Sequence, residues 1–331
     1  MKISFCTTCM GRTHHLKETL PQNLRESSGV DAEFVVLNYN SPDDLHDWIT
    51  TDPEMQKYIK SGRLRYGRTT EPEHFHMSHA KNMAHRMATG DVLCNVDADN
   101  SIGVGFSAFL EAQFSKDMNI VMNPSHGVSR HFPPEERGFF GRIAISAGNF
   151  HLIGGYDEEF QGWGGEDNDL IRRAKANGVE HLRFENMKYL GVICHTNVER
   201  AENMKNADDV LEAIDFSQNH ESVLTKILHR AEALKKPIIA NSKNGYGIGR
   251  VEMEGDGNRD LMFGKVTGSS LSTFNTCAMG LPSMIRDRIA PRVVSDENEF
   301  SLSDESESCV LDESEVGLSD DSESDNDYEP S

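Results

Sequence analysis

The chain has 331 residues, 37% hydrophobic and 26% charged, with a formal charge of −21, an ordinary globular composition with room for one large core or two smaller ones. Fifteen of the acidic residues, and no Lys or Arg, fall in 295–331. The remainder is therefore only mildly acidic, and no basic stripe offers itself to nucleic acid. No apolar run reaches the length of a membrane span, and the opening Met-Lys-Ile-Ser-Phe-Cys lacks the long apolar core of a signal peptide. A soluble, cytoplasmic protein with reduced cysteines is expected. Cys6 and Cys9 form one isolated Cys-x-x-Cys pair, the spacing of a redox dithiol or of half a zinc site, and no second pair follows.

In chain order, residues 2–6 alternate as a strand and lead through Thr7, Thr8, Cys9, Met10, Gly11 and Arg12 to a helix carrying Leu16, Leu20 and Leu24, with Thr13 as its predicted cap. Residues 33–37 form a short buried-strand run, and Ser41, Pro42 and Asp44 then have the spacing of an N-cap, first helical position and capping box. A third strand is predicted over 63–66, a helix over 78–88 with Met83 and Met87 facing the core, and a fourth strand over 91–96. Strands alternating with helices predict an α/β fold with a largely parallel sheet covered on both faces. In such sheets ligands bind beyond the carboxyl ends of the strands, where Thr7–Arg12, Asn38–Asp44 and Asp97–Asn100 should converge.

The fourth strand runs directly into Asp97-Ala98-Asp99. Carboxylates two residues apart in an extended segment point the same way and can address one hard cation. The histidines His74, His76, His79 and His85 read instead as a solvated loop and helix face, because their spacing does not force convergence. A helix follows with Phe106, Phe109, Leu110 and Phe114, then a strand over 120–122. Residues 124–137 are polar and unpatterned, a lid over the site or a plain long loop. Residues 142–145, 179–184 and 189–194 are strand-like, the last ending at His195. Beyond 206, residues 211–234 are helical in pattern, the stretch to 292 has no clear period, and 295–331 is Ser/Asp/Glu-rich and expected to be disordered.

Chemistry concentrates in residues 154–170. Gly154, Gly155, Gly162, Gly164 and Gly165 permit tight backbone and close ligand approach. Trp163 offers an aromatic face, and Glu166, Asp167 and Asp169 open a helix that ends near Asn177-Gly178. Carboxylates are favoured at a helix N-terminus, so Asp167 also has a plain reading as an N-cap, and Trp163 one as a packing residue.

Together these pieces resemble a metal-dependent glycosyltransferase of the GT-A type, similar to family 2 transferases and to the galactosyltransferase-type C-terminal segment of β-1,4-galactosyltransferases and chondroitin-polymerising enzymes. Trp163-Gly164-Gly165-Glu166-Asp167 carries the likeness most specifically, supported by residues 7–20, 78–100 and 141–178. The resemblance implies a Rossmann-like, mostly parallel mixed sheet over residues 1–250, followed by a poorly defined extension over 251–294 and the acidic tail. It implies a nucleotide-sugar donor, a UDP-sugar first, a glycan or glycoside acceptor, and Mn2+ or Mg2+ as cofactor. Residue by residue, it gives Asp97, Asp99 and His195 to the metal and Asp167 to the general base. Trp163 and Glu166 go to the acceptor, and Glu166 also joins Asp167 in the catalytic site. Thr7, Arg12, Asn38, Asn40, Asp43, Lys81, Asn82 and Asp97 go to the nucleotide-sugar. Asn38-Tyr39-Asn40 departs from the acidic pattern usual after the second strand, and a membrane anchor of the kind carried by animal Golgi relatives is not expected.

Two other function classes stand beside the transferase. One is a catalytically silent carbohydrate-binding or scaffold protein that works through a phosphorylated or partner-binding tail; intact Asp97, Asp99, Glu166 and Asp167 favour the enzyme. The other is a nucleotidyltransferase or sugar-nucleotide synthase, which needs a glycine-rich basic phosphate loop where this chain has only Gly11-Arg12.

Overall fold

The structure, a computed structural model, describes residues 1–132, 137–216 and 235–254, and the backbone of 260–262. The chain divides after Gly280 into two units, and the second lies wholly outside the described residues, as does the expected acidic tail. Among the described residues no helix is long and apolar enough to cross a membrane.

The first part is a strand-helix series: β1 (Ile3–Cys9), α1 (Thr13–Glu26), β2 (Ala32–Tyr39), α2 (Leu45–Thr51), α3 (Pro53–Lys60), β3 (Leu64–Thr69), α4 (Met77–Met87) and β4 (Val92–Asn95). Then come the short β5 (Asn100–Ser101), α5 (Phe106–Phe114), β6 (Ile120–Pro124), a 3-10 turn at His126–His131, β7 (Ala144–Ser146), α6 (Ala147–Leu152) and α7 (Glu166–Ala176). The chain continues through β8 (Glu180–Phe184), β9 (Gly191–Val192), α8 (Asn197–Ala201), α9 (Ala207–Asp215), β10 (Arg250–Met253) and β11 (Asp260–Met262).

Among the described residues nine strands make the main sheet in the order β11-β10-β3-β2-β1-β4-β7-β6-β8, and β5 pairs with β9 in a small second sheet. β1 pairs in parallel with β2 and β4, β2 with β3, and β6 with β8. β7 runs against β4 and β6, and β10 against β3. The expected mixed, mostly parallel α/β sheet is thus observed.

Period-two alternation explains the layers. Ile3, Phe5, Phe34 and Val36 face one core with Leu16, Leu20, Leu24, Ile49, Phe106 and Leu110. Cys6, Val35 and Leu37 face the other side with Met83 and Met87 of α4. Leu93, Val121 and Ile145 pack there against Phe150, Leu170, Ile171 and Ala174 of α6 and α7. Cys6 and Cys9, three residues apart in β1, therefore join different cores. Both are buried and free, and burial pushes the Cys9 thiol up to about 12, which suits inert packing and not a metal or redox pair.

Several local expectations need correction. Thr13 is the first residue of α1 and not its cap; its N–H and hydroxyl both donate to Asp43, at 2.9 and 2.6 Å. Ser41 does not cap α2, which starts at Leu45. Its hydroxyl accepts the Gly11 N–H (2.7 Å) and donates to Asp43 (2.7 Å). Thr13 is claimed by Asp43 from 30 residues away, and Ser41 links the Gly11 N–H to that same carboxylate instead of capping a helix. The histidines are not one solvated face either: His85 is buried and stacks on Phe150 at 4.7 Å, and His79 bridges the Tyr39 hydroxyl and the Ile248 carbonyl.

Residues 235–254, which showed no clear period, strap the sheet. Asn241 donates to the carbonyls of Gly154 and Tyr156, Arg86 donates to the Tyr246 carbonyl, and β10 extends the sheet past β3. Gly154 needs to be glycine, since its φ is +77° and a Cβ would run into the Ala240 carbonyl.

Candidate active site

The parallel strands β1, β2 and β4 end side by side, and the loops beyond them carry the polar residues predicted to converge. Thr7 closes this end: it is buried, and its hydroxyl donates to the Val96 carbonyl at 2.8 Å, tying β1 to the chain just before Asp97. Asn38 is also buried, donating to the Tyr66 hydroxyl and accepting the Ser41 N–H. Asn40, at φ +51°, donates to the Pro72 carbonyl. Asp43 accepts from Thr13, Ser41 and the Leu45 N–H. Burial works to raise its carboxyl, but those hydrogen bonds outweigh it and hold the group below the usual range. Arg12 flanks α1 and donates to His15 Nδ1 at 3.3 Å.

Asp97 and Asp99 follow β4 as predicted. Asp97 accepts from the Asn95 amide through Oδ1 (3.0 Å), while Oδ2 faces Gly141. Burial, supported by the negative charges of Asp99 and Glu166, raises its carboxyl against the pull of Lys81. Asp99 is buried. Its Oδ2 meets His195 Nε2 at 2.7 Å and its Oδ1 accepts from Asn100 at 2.8 Å. Burial opposes ionisation there too, yet the His195 contact and the Asn100 amide win and hold it below the usual range. Arg142, fully buried, donates to Asn100 Oδ1 at 2.8 Å, and its Nε and Nη1 have no hydrogen-bond partner among the described residues. This fixed cation beneath the Asp99 loop was not foreseen, since nothing in its local sequence marks it.

The second acidic pair opens α7. Gly165, at φ +92°, occupies the cap position with no side-chain cap, so the plain capping reading of Asp167 does not hold. Asp167 instead accepts from Lys81 Nζ at 2.8 Å, and Glu166 accepts from the same Nζ at 2.9 Å. Lys81 is buried on α4 with its ammonium 5.0 Å from the Tyr156 ring centroid. Burial disfavours the ammonium, but Asp167 and Glu166 more than compensate and keep it charged. Burial raises the Asp167 carboxyl to about 7 despite Lys81, with Glu166 and Asp97 adding to the rise. Asn82, one residue on, is spent structurally, donating to Tyr156 O and Glu158 and accepting the Tyr156 N–H. Asp169 belongs to the fold: it pairs with Arg172 and Arg173 at 2.7 Å each.

The two pairs meet at Gly141. A Cβ there would lie 2.9 Å from Asp97 Oδ2 and 3.1 Å from Asp167 Oδ2, so the absent side chain leaves a space walled by both carboxylates. Two carboxylates and one imidazole are a fitting donor set for Mn2+ or Mg2+. The three predicted ligands are not equally poised: His195 Nε2 is bonded to Asp99 directly. Among the described residues the one trio with ligand atoms within 4.8 Å of one another is His14, His15 and Glu199.

Trp163 sits between its two readings. It is half-buried, packed beside Ala201, Met204, Val210 and Ile214, with the Arg200 guanidinium 5.7 Å from its ring centroid.

Residues 125–197 match the model of a family described as the N-terminal domain of galactosyltransferase. The match includes Gly141, Trp163, Glu166, Asp167 and His195. No curated protein matches the chain. Among solved structures it is similar to the mannosyltransferase PcManGT from Pyrobaculum calidifontis in complex with GDP-Man and Mn2+, at 17% identity over 71% of this chain and 81% of that chain, with a TM-score of 0.46. It is also similar to residues 1-349 of S. aureus TarS in complex with UDP, at 16% identity over 71% of each chain, with a TM-score of 0.46. Residues 125–197 of this chain are thus similar to a galactosyltransferase-type domain.

Proposed function

We propose that the chain is an inverting, divalent-metal-dependent transferase moving a sugar from a nucleotide-sugar, a UDP-sugar first, to a hydroxyl of a glycan or glycoside. The observation that carries this reading is the meeting of Asp97 and Asp167 across Gly141. An inverting transfer needs a base on the attacking hydroxyl and positive charge near the leaving diphosphate, and residues of both kinds border one space here.

Asp167 is the base. Its raised carboxyl accepts a proton at neutral pH more readily than an ordinary aspartate. Lys81 holds it in place and holds Glu166 beside it, so that Glu166 and Trp163 are left to orient acceptor hydroxyls and a sugar face. Asp97, Asp99 and His195 would hold the cation, which when bound supplies charge for the departing diphosphate. Arg142, through Asn100, fixes the rotamer of Asp99. The buried Thr7, Asn38 and Asn82 position the loops, and donor contacts fall to Arg12, Asn40 and Asp43.

Incubating the full chain with a panel of nucleotide-sugars and Mn2+ tests the reading. Metal-dependent hydrolysis of one donor without acceptor is expected. Donor binding without turnover in any acceptor mixture would favour the silent carbohydrate-binding reading.

A further inference from the structure

A cluster outside the proposed catalytic residues brings together the first turn of α1 and the start of α8. One ligand atom each from His14, His15 and Glu199 lies within 4.8 Å of the others. The two imidazole rings are 4.0 Å apart between centroids, and His14 Nε2 is 3.7 Å from Glu199 Oε1. Two of the three donors are held by the fold. His15 is buried on α1. Glu199 is fixed by a capping box, its Oε2 accepting the Thr196 N–H at 2.9 Å and the Thr196 hydroxyl at 3.1 Å. That leaves Oε1 turned to His14. The exposed His14 needs only to settle its own rotamer.

We propose that His14, His15 and Glu199 form a second cation site, selective for a borderline transition ion such as Zn2+ or Co2+. Two imidazoles and one carboxylate are the donors of such ions, whereas Mn2+ and Mg2+ prefer the oxygen-rich set at Asp97 and Asp99. Three protein ligands leave a position for water in a tetrahedral shell. Bound there, the ion ties α1 to α8, the helix that begins two residues after His195, and the His15 ring is 5.5 Å from the His195 ring. The second site therefore braces the segment that presents His195. Arg12 opposes it, because its guanidinium donates to His15 Nδ1 and brings positive charge to the same place. The proposal stands whether or not the chain transfers a sugar.

Co2+ titrated into tag-free full-length protein in excess Mn2+, followed by its visible absorption, tests it. One intense band of a nitrogen-ligated, four-coordinate ion is expected. His14→Gln and Glu199→Gln should each weaken Co2+ binding at least about tenfold, a loss in the range that ligand-shell changes cause, with the melting temperature in the absence of metal unchanged for His14→Gln, a surface change. Arg12→Met should tighten it, and Asp97→Asn should leave it as in the unaltered chain. The proposal is overturned if Asp97→Asn removes the band while His14→Gln and Glu199→Gln keep it, or if no Co2+ binds in excess Mn2+.

Discussion

The site contains two acidic pairs that a sequence presents in the same way and the fold treats differently. Asp97 and Asp99 end a strand, and their nearest partners are the amides of Asn95 and Asn100 and the imidazole of His195. Glu166 and Asp167 open a helix and share one buried ammonium, that of Lys81. Among the described residues no ammonium or guanidinium is hydrogen-bonded to the first pair, only amides and an imidazole, which leaves room for an external cation. Lys81 compensates the second pair from within, while burial still lifts Asp167 to about 7. The same side chain is thereby set up as a ligand in one place and a proton acceptor in the other.

The strongest way to break that division is to remove a ligand from the first pair. Asp99→Ala should lower transfer by about a thousandfold, the scale of several kcal/mol of lost charge stabilisation, and Mn2+ affinity should fall with it in a calorimetric titration. Full turnover in excess chelator would take the metal out of the account.

Lys81→Met attacks the second pair. It strands Glu166 and Asp167 without their counter-charge and should cost about 3–5 kcal/mol of stability, as breaking a buried ion pair does, read by denaturant unfolding. A variant of unchanged stability would mean that Lys81 is not the internal counter-ion.

A pH profile sharpens the comparison with a smaller effect. The carboxyl of Asp167 is raised, so it is protonated and useless as a base below its pKa and ionised above it. Transfer should rise with pH through an acid limb near about 7. A bound cation stabilises the ionised form and moves that limb to lower pH. A rate that is flat from mildly acidic to alkaline pH would contradict the assignment. The smallest expected effect lies outside both pairs: truncation after Arg292 should leave donor turnover unchanged, because the acidic tail holds none of the residues assigned to donor, metal or acceptor.

Much of the sheet could be read in advance because its signals are local. The runs at Phe34-Val35-Val36-Leu37 and Val92-Leu93-Cys94-Asn95 became β2 and β4, and the five glycines of 154–165 all take positive φ. Asp97, Asp99, Glu166 and Asp167 were legible as acidic motifs. What decides their behaviour was not. Lys81 is 85 residues from Glu166, Arg142 is 42 from Asn100, and Asp43 takes Thr13 from across 30 residues. Pairings at such separations leave no periodic trace, so Thr13 presents itself in the sequence as a helix cap while a carboxylate 30 residues away claims it. His14 and His15 passed unnoticed for the same reason, since their third partner lies on α8.

The central claim is that Asp167 takes the proton, and Asp167→Asn tests it most directly. Because Gly165 occupies the cap position, the substitution removes no cap and keeps the shape of the side chain. Transfer and donor affinity should be measured on the same folded preparation. The account predicts a fall in transfer of at least about a hundredfold, the lower range for losing a positioned base, with nucleotide and Mn2+ binding near those of the unaltered chain. An Asp167→Asn enzyme of ordinary turnover would contradict it.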